Sequence, residues 1–200
     1  MKIKRFIGGS LQSNGYVLYN QAGGSCFIID PGYQPKKFIN FVRENQLTAK
    51  GILLTHLHHD HVGGAEAVRD ALECPIFMHE EDAFVYKGVV DQRVKEGDTF
   101  DLDGEILKIL HTPGHTRGGI CIMAEKSRVC FTGDTIFDTD LGRTDLEGGS
   151  ESDMRDSICN VVDKWENDIM IYPGHDDGCT MKKVRIYNSE FIALRDGNER

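Results

Sequence analysis

The stretch Thr55-His56-Leu57-His58-His59-Asp60-His61 crowds imidazoles around a carboxylate within a few residues. Each such group demands a polar partner when buried, so the run is a costly way to fill a core. It is an effective way to bind a borderline divalent metal, which favours imidazole nitrogen with some carboxylate oxygen. The run follows directly on Gly51–Thr55, an apolar segment that reads as a strand. In extended backbone alternate side chains share a side, so His56, His58 and Asp60 are expected to face one point. His61 precedes Val62-Gly63-Gly64, where the chain turns toward a helix, and is expected to re-enter from another direction. His59 falls between these positions and is expected to point away.

Three further candidates stand at the ends of expected strands. His115 follows Glu105–Leu110 through Thr112-Pro113-Gly114, Asp134 follows Arg128–Thr132 through Gly133, and His175 follows Ile169–Tyr172 through Pro173-Gly174. In folds of sheets and helices, functional groups collect outside the carboxyl ends of strands. Together the candidates offer what roughly two ions with a shared bridge consume. His79 and His111 carry no such signal and read as ordinary residues.

The elements that must position these groups follow from apolar runs and turn residues. Ile3–Ile7, Tyr16–Tyr19 and Cys26–Ile29 read as a three-stranded meander separated by glycine pairs. Pro35 opens a helical pattern through Phe38, Ile39, Val42 and Leu47, and Ala65–Leu72 reads as a second helix. Pro75–His79 reads as a strand and Glu80–Tyr86 as a helix; beyond them Arg117–Met123 joins the strands already named. A helix across Ser152–Trp165 and helices from a Thr180 cap onward close the chain. Strand runs interrupted by helices predict a layered α+β fold with sheets inside, in a single domain over residues 1–200.

Composition narrows the function classes. Forty per cent hydrophobic and 28 per cent charged residues are ordinary for a folded globular domain. The formal charge of −9, from 23 basic and 32 acidic residues, disfavours nucleic acid as a partner. No apolar run approaches the ~18 residues of a membrane span, and the amino terminus lacks a signal-peptide pattern. The six cysteines form no CxxC pair and read as reduced, buried thiols of a cytoplasmic protein. A small-molecule substrate, handled by a monomer or homodimer, is the expected partner.

His56-x-His58-x-Asp60-His61, with His115, Asp134 and His175 in order, resembles the metallo-β-lactamase fold superfamily. Ile28-Ile29-Asp30-Pro31-Gly32 is similar to that superfamily's early segment, so the resemblance spans nearly the whole chain. It implies a four-layer αββα sandwich. It also implies that His56, His58 and His115 hold one metal, that Asp60, His61 and His175 hold a second, and that Asp134 bridges them. Asp30 would steady the ligand loop. The implied cofactor is a pair of divalent ions, zinc first, with iron or a zinc–iron mixture as the variants.

Within the superfamily, β-lactamases of the commonest class carry Arg and Cys where this chain has His61 and Asp134. Di-iron oxygen reducers carry Glu in place of His58, and the tRNA-processing nucleases carry an RNA-gripping arm. Gly142-Arg143-Thr144-Asp145-Leu146 with Gly148-Gly149 resembles the glyoxalase II-like branch, which hydrolyses thioesters of hydroxy acids. That resemblance implies a metal-dependent thioesterase in which Asp60 or Asp134 manages the proton and Arg143 orients substrate or the site loop. Persulfide dioxygenases, with a single iron at His56, His115 and Asp134, share the pattern, and a non-catalytic metal-binding module is the third reading. Typical glyoxalase II enzymes add a helical domain that contacts glutathione, whereas this chain ends 25 residues after His175. Asp138 and Asp140 near the expected mouth would also discourage an anionic thioester.

Overall fold

In the computed structural model, which describes residues 1–197, two six-stranded sheets face each other. The first runs β1 (Lys2–Gly8), β2 (Ser13–Tyr19), β3 (Ser25–Ile29), β4 (Thr48–Leu54), β5 (Ile76–His79) and β6 (Gln92–Val94), in sequence order. Its first three strands form the antiparallel meander, and the last three follow β3 in parallel. Parallel neighbours need crossovers, here α1 (Pro35–Glu44), α2 (His59–Val62) with α3 (Ala65–Leu72), and α4 (Glu80–Val85). The second sheet holds β7 (Thr99–Leu102), β8 (Glu105–His111), β9 (Ile120–Ala124), β10 (Val129–Gly133), β11 (Met170–Pro173) and β12 (Cys179–Thr180). Here β7 to β10 are antiparallel, and β11 lies parallel to β10 after the crossover helix α5 (Glu151–Asn160). Helices α6 (Met181–Tyr187) and α7 (Ser189–Gly197) follow.

The period-two alternation of the strands builds the layers. Tyr16, Leu18, Phe27, Ile29 and Leu53 point inward and meet Leu107, Ile109, Ile122 and Phe131 of the other sheet. Their neighbours Val17, Ile28, Ile52 and Leu54 point outward, onto Phe38, Ile39 and Val42 of α1 and Val68 of α3. On the far side Cys121, Met123, Cys130 and Ile171 face Met154, Ile158, Val184 and Phe191 of α5, α6 and α7. Both faces of both sheets are therefore covered, which is why the central strands read as unbroken apolar runs. The α+β, four-layer αββα arrangement expected from the sequence is present. All six cysteines are buried free thiols. Among the described residues, no helix is long and apolar enough to cross a membrane.

Several boundaries differ from expectation for local reasons. Helix α1 stops at Glu44; Gln46 takes a left-handed turn (φ 54°) that drops the buried Leu47 into the core from outside the helix. The segment read as one helix to Trp165 breaks after Asn160 into the 3₁₀ turn Val162–Lys164. Arg117–Gly119 is loop rather than strand, because Gly118 is drawn onto the carboxylate of Asp82. The expected strand Gly51–Thr55 begins earlier and ends at Leu54.

Candidate metal centre

Every expected ligand lies in a turn beyond the end of a strand, on one edge of the sandwich. After β4 the chain does not stay extended: His56 and His58 lie on a bent segment, and Asp60 and His61 on the single turn of α2. The alternation argument for His56, His58 and Asp60 is therefore corrected. They meet through a loop-to-helix turn, not along one face of a strand.

Asp30 organises that turn. Its left-handed backbone (φ 46°) aims the carboxylate under the loop. Oδ1 accepts the Thr55 N–H at 2.8 Å, while Oδ2 accepts the Thr55 hydroxyl and faces His61 Nδ1 at 3.0 Å. With Nδ1 so engaged, His61 presents Nε2 to the site. His115 is oriented in the same way by the Arg143 carbonyl, 2.8 Å from Nδ1. His175 is oriented by the Leu11 carbonyl at 3.1 Å. The loop ahead of His175 is held in turn by Asn14 Nδ2 and the Tyr16 hydroxyl, both donating to the Pro173 carbonyl.

Two groups of ligand atoms result. One atom each from His56, His58 and His115 lie within 4.8 Å of one another, and so do single atoms of Asp60, His61 and His175. His58 Nδ1 and His115 Nε2 are 2.8 Å apart in the first. In the second, Asp60 Oδ2 lies 3.3 Å from His61 Nε2 and 3.2 Å from His175 Nε2. Asp134 stands between them, its carboxylate 3.5 Å from His115, 4.0 Å from His56, 3.5 Å from His61 and 3.4 Å from His175. Asp30, His56 and His61 also cluster, but the Asp30 oxygens are already committed to Thr55 and His61.

The residues fit divalent metal. His56 Nε2 and Asp134 Oδ1 are buried and have no hydrogen-bond partner among the described residues. Unsatisfied polar atoms at that depth are rare and costly, and both atoms suit coordination to a cation. Electrostatics separates the two groups. Burial, and then the neighbouring imidazoles, hold His56 well below its usual value and bring His58 down to about 4. At the second group burial opposes charge but loses: Asp134, Asp30 and Asp60 push His61 well up, and Asp134 with Asp60 raises His175 to about 10. Asp60 and Asp134 are themselves held below the usual carboxylate range by His175 and His61, against the effect of burial.

An uneven proton release follows. The carboxylates that raise His61 and His175 make protons compete with an ion at the second group, so an ion entering there must displace them. Zinc affinity at the second group should rise by about tenfold or more per pH unit between pH 6 and 8, a steeper rise than at the group of the lowered His56 and His58. Chelator-competition titrations across that range check this; equal pH dependence at both groups would contradict it.

The centre opens into a cleft of about 520 Å³ whose rim includes Leu11, Phe137 and Leu146. His59 is exposed on that rim, edge-on to Tyr33. Arg143 also lines the cleft, but its guanidinium forks onto Asp145 at 2.7 Å, so what reaches the ligands is its carbonyl. A second cavity of about 740 Å³ adjoins through Leu11 and His175 and is walled by Asp138, Asp140, Asp176 and Asp177. Lys183 pairs with Asp138 at 2.9 Å and Arg5 with Asp177 at 2.8 Å. The repulsion expected of Asp138 and Asp140 therefore narrows to Asp140, which has no cation within 4 Å among the described residues. His79 and His111, read as ordinary, stack in parallel 3.9 Å apart, and His111 Nε2 donates to the Arg117 carbonyl in the His115 loop. The residues that sequence reasoning missed are Thr55, Asn14, Tyr16 and above all Asp82, all of which hold ligand loops.

A four-layer sandwich with histidines and aspartates converging on one edge defines a class of metal-site protein. The family model described as "Metallo-beta-lactamase superfamily" matches residues 8–175. The chain is 33% identical to hydroxyacylglutathione hydrolase GloC of Haemophilus influenzae, over 80% of this chain and 84% of the relative. It superposes on the BLEG-1 B3 metallo-beta-lactamase with a TM-score of 0.88 at 29% identity, covering 95% and 99% of the two chains. A di-iron-bound form of TTHA1623 gives a TM-score of 0.82 at 25% identity, covering 94% and 99%. This chain belongs to the metallo-beta-lactamase superfamily, whose members are generally enzymes, and glyoxalase II enzymes are among its distant homologues.

Proposed function

We propose that this protein is a glyoxalase II-like metallo-hydrolase that cleaves a thioester. The observation that carries the reading is Asp134, a buried carboxylate within 4.0 Å of imidazoles from both ligand groups, as a shared bridge requires. His56, His58 and His115 would hold one divalent ion, and Asp60, His61 and His175 the other. Such a pair supplies a nucleophile at neutral pH and Lewis-acid polarisation of a carbonyl. Asp60, on the cleft wall 3.3 Å from His61 and 3.2 Å from His175, or Asp134 would take and return the proton. The apolar rim of Leu11, Phe137 and Leu146 would seat the acyl or thiol arm, and Arg143 would act through its carbonyl on His115. Zinc fits the nitrogen-rich donor set, and iron is the alternative that the di-iron form of TTHA1623 makes concrete. The kinship to GloC supports the thioester as substrate class.

The test pairs metal analysis with turnover. Protein purified without added metal, then loaded with zinc, should carry two ions per chain and hydrolyse a neutral hydroxyacyl thioester. A glutathione thioester should show a higher KM, because no cation within 4 Å answers Asp140 among the described residues and the surface is acidic. Asp140→Ala should lower that KM more than it changes kcat. Hydrolysis of a β-lactam but no thioester, or oxygen uptake with a persulfide at one iron per chain, would move the protein to another branch. Metal binding without turnover of any of these would leave a binding module.

A further inference from the structure

One carboxylate outside the ligand set touches both of the loops that bring the first imidazole group together. Asp82, in α4, is fully buried. Its Oδ2 accepts the Leu57 N–H at 3.0 Å and the Thr116 hydroxyl at 2.8 Å, and Oδ1 accepts the Gly118 N–H at 2.6 Å. Leu57 lies between His56 and His58 in the chain, and Thr116 directly follows His115. All three imidazoles are therefore one residue away from a bond to the same side chain. The two loops come from different sheets, the first leaving β4 and the second joining β8 to β9. The approach is close: a Cβ on Gly118 would stand 2.5 Å from the Asp82 nitrogen, so this contact needs glycine.

The chemistry demands a carboxylate. Three donors converge on two oxygens, whereas an amide offers one acceptor oxygen and brings two donors of its own. Asparagine at position 82 would leave at least one buried donor facing another donor. A negative charge there also favours a cation held by the adjoining imidazoles.

We infer that Asp82 is a positioning residue that fixes the separation of the His56–His58 loop from the His115 loop, and through it the affinity of the first ligand group for its ion. The inference rests on the two-metal reading above, and its test separates the two. The full chain is prepared metal-free and titrated with cobalt(II), followed by its visible absorption bands. His175→Ala leaves the first group intact, and His58→Ala leaves the second. In the His175→Ala background, Asp82→Asn should weaken cobalt binding 10- to 100-fold, a usual cost for losing the partner that orients a ligand. In the His58→Ala background it should change binding by less than about threefold. Thr116→Val removes one donor while leaving Asp82 in place, and should weaken the first group in the same direction by several-fold. Thr116→Ser should restore it. This pair carries the test if Asp82→Asn does not fold.

Equal losses at both groups, or a fall in thermal stability with unchanged first-group affinity, would make Asp82 merely structural and overturn the inference. A wild-type chain that takes up no cobalt would overturn the metal reading and this inference with it.

Discussion

Replacing Asp134 by asparagine should release at least one metal ion and cut turnover on the order of 100-fold or more. The variant almost preserves the shape of the side chain, so the effect isolates its charge. In the native protein the carboxylate reaches His56 and His115 of one ligand group and His61 and His175 of the other, at 3.4 to 4.0 Å. Its Oδ1 is buried with no hydrogen-bond partner among the described residues. An amide NH2 at either oxygen position presents hydrogens where a cation must bind. Metal content by elemental analysis and kcat on a thioester are the measurements. Wild-type turnover in a variant with one site filled would refute the bridging role.

Gly32→Ala should be nearly as damaging, by a different route. A Cβ on Gly32 would fall 1.6 Å from the Asp60 carbonyl oxygen and 2.9 Å from the His61 nitrogen. Those are backbone atoms of the α2 turn and cannot swing aside as a side chain would. The same Asp60 carbonyl also accepts the Ser13 hydroxyl at 2.8 Å, which pins it from β2. The methyl group must therefore push the Asp30–Gly32 loop away from the ligands that Asp30 orients. Forcing backbone apart in a packed interior costs about 3 kcal/mol, at the upper end of overpacking effects. Urea unfolding should show the lowered midpoint, and elemental analysis should show less of the metal that Asp60 and His61 would hold. An unchanged midpoint with both metals bound would show that the loop yields more easily than its packing indicates.

Much of this centre is legible in the sequence because its ligands sit in turns that advertise themselves. His115, Asp134 and His175 each follow an apolar run through glycine, with proline as well in two cases, and those residues end strands by their backbone restrictions. The layered fold is legible for a related reason: strands covered on both faces must be apolar throughout. What failed is the use of strand alternation beyond Leu54, where the chain bends and closes a helical turn at His59. Asp82 was hidden more completely. It stands in Glu80-Glu81-Asp82, at the start of a helix, where acidic residues usually sit in solvent against the helix dipole. Its burial depends on two distant loops, and no local pattern records them. The stacking of His79 on His111 was hidden likewise, since it joins strands of different sheets.

The chain order of the strands has a consequence for how the protein matures. Residues 2–94 build one sheet and residues 99–180 the other, with a junction of only a few residues between them. Each ligand group draws on both stretches: His56 and His58 with His115, and Asp60 and His61 with His175. Neither stretch alone can assemble either group, so the centre comes into being when the two halves dock. Metal that binds only the docked form stabilises it by mass action, by about 2.7 kcal/mol at a hundredfold excess over Kd. Metal supply then acts on the lifetime of the assembled protein as well as on its chemistry. Without metal the edge where the ligands meet loses that tie, and the two sheets are held by the apolar core between them.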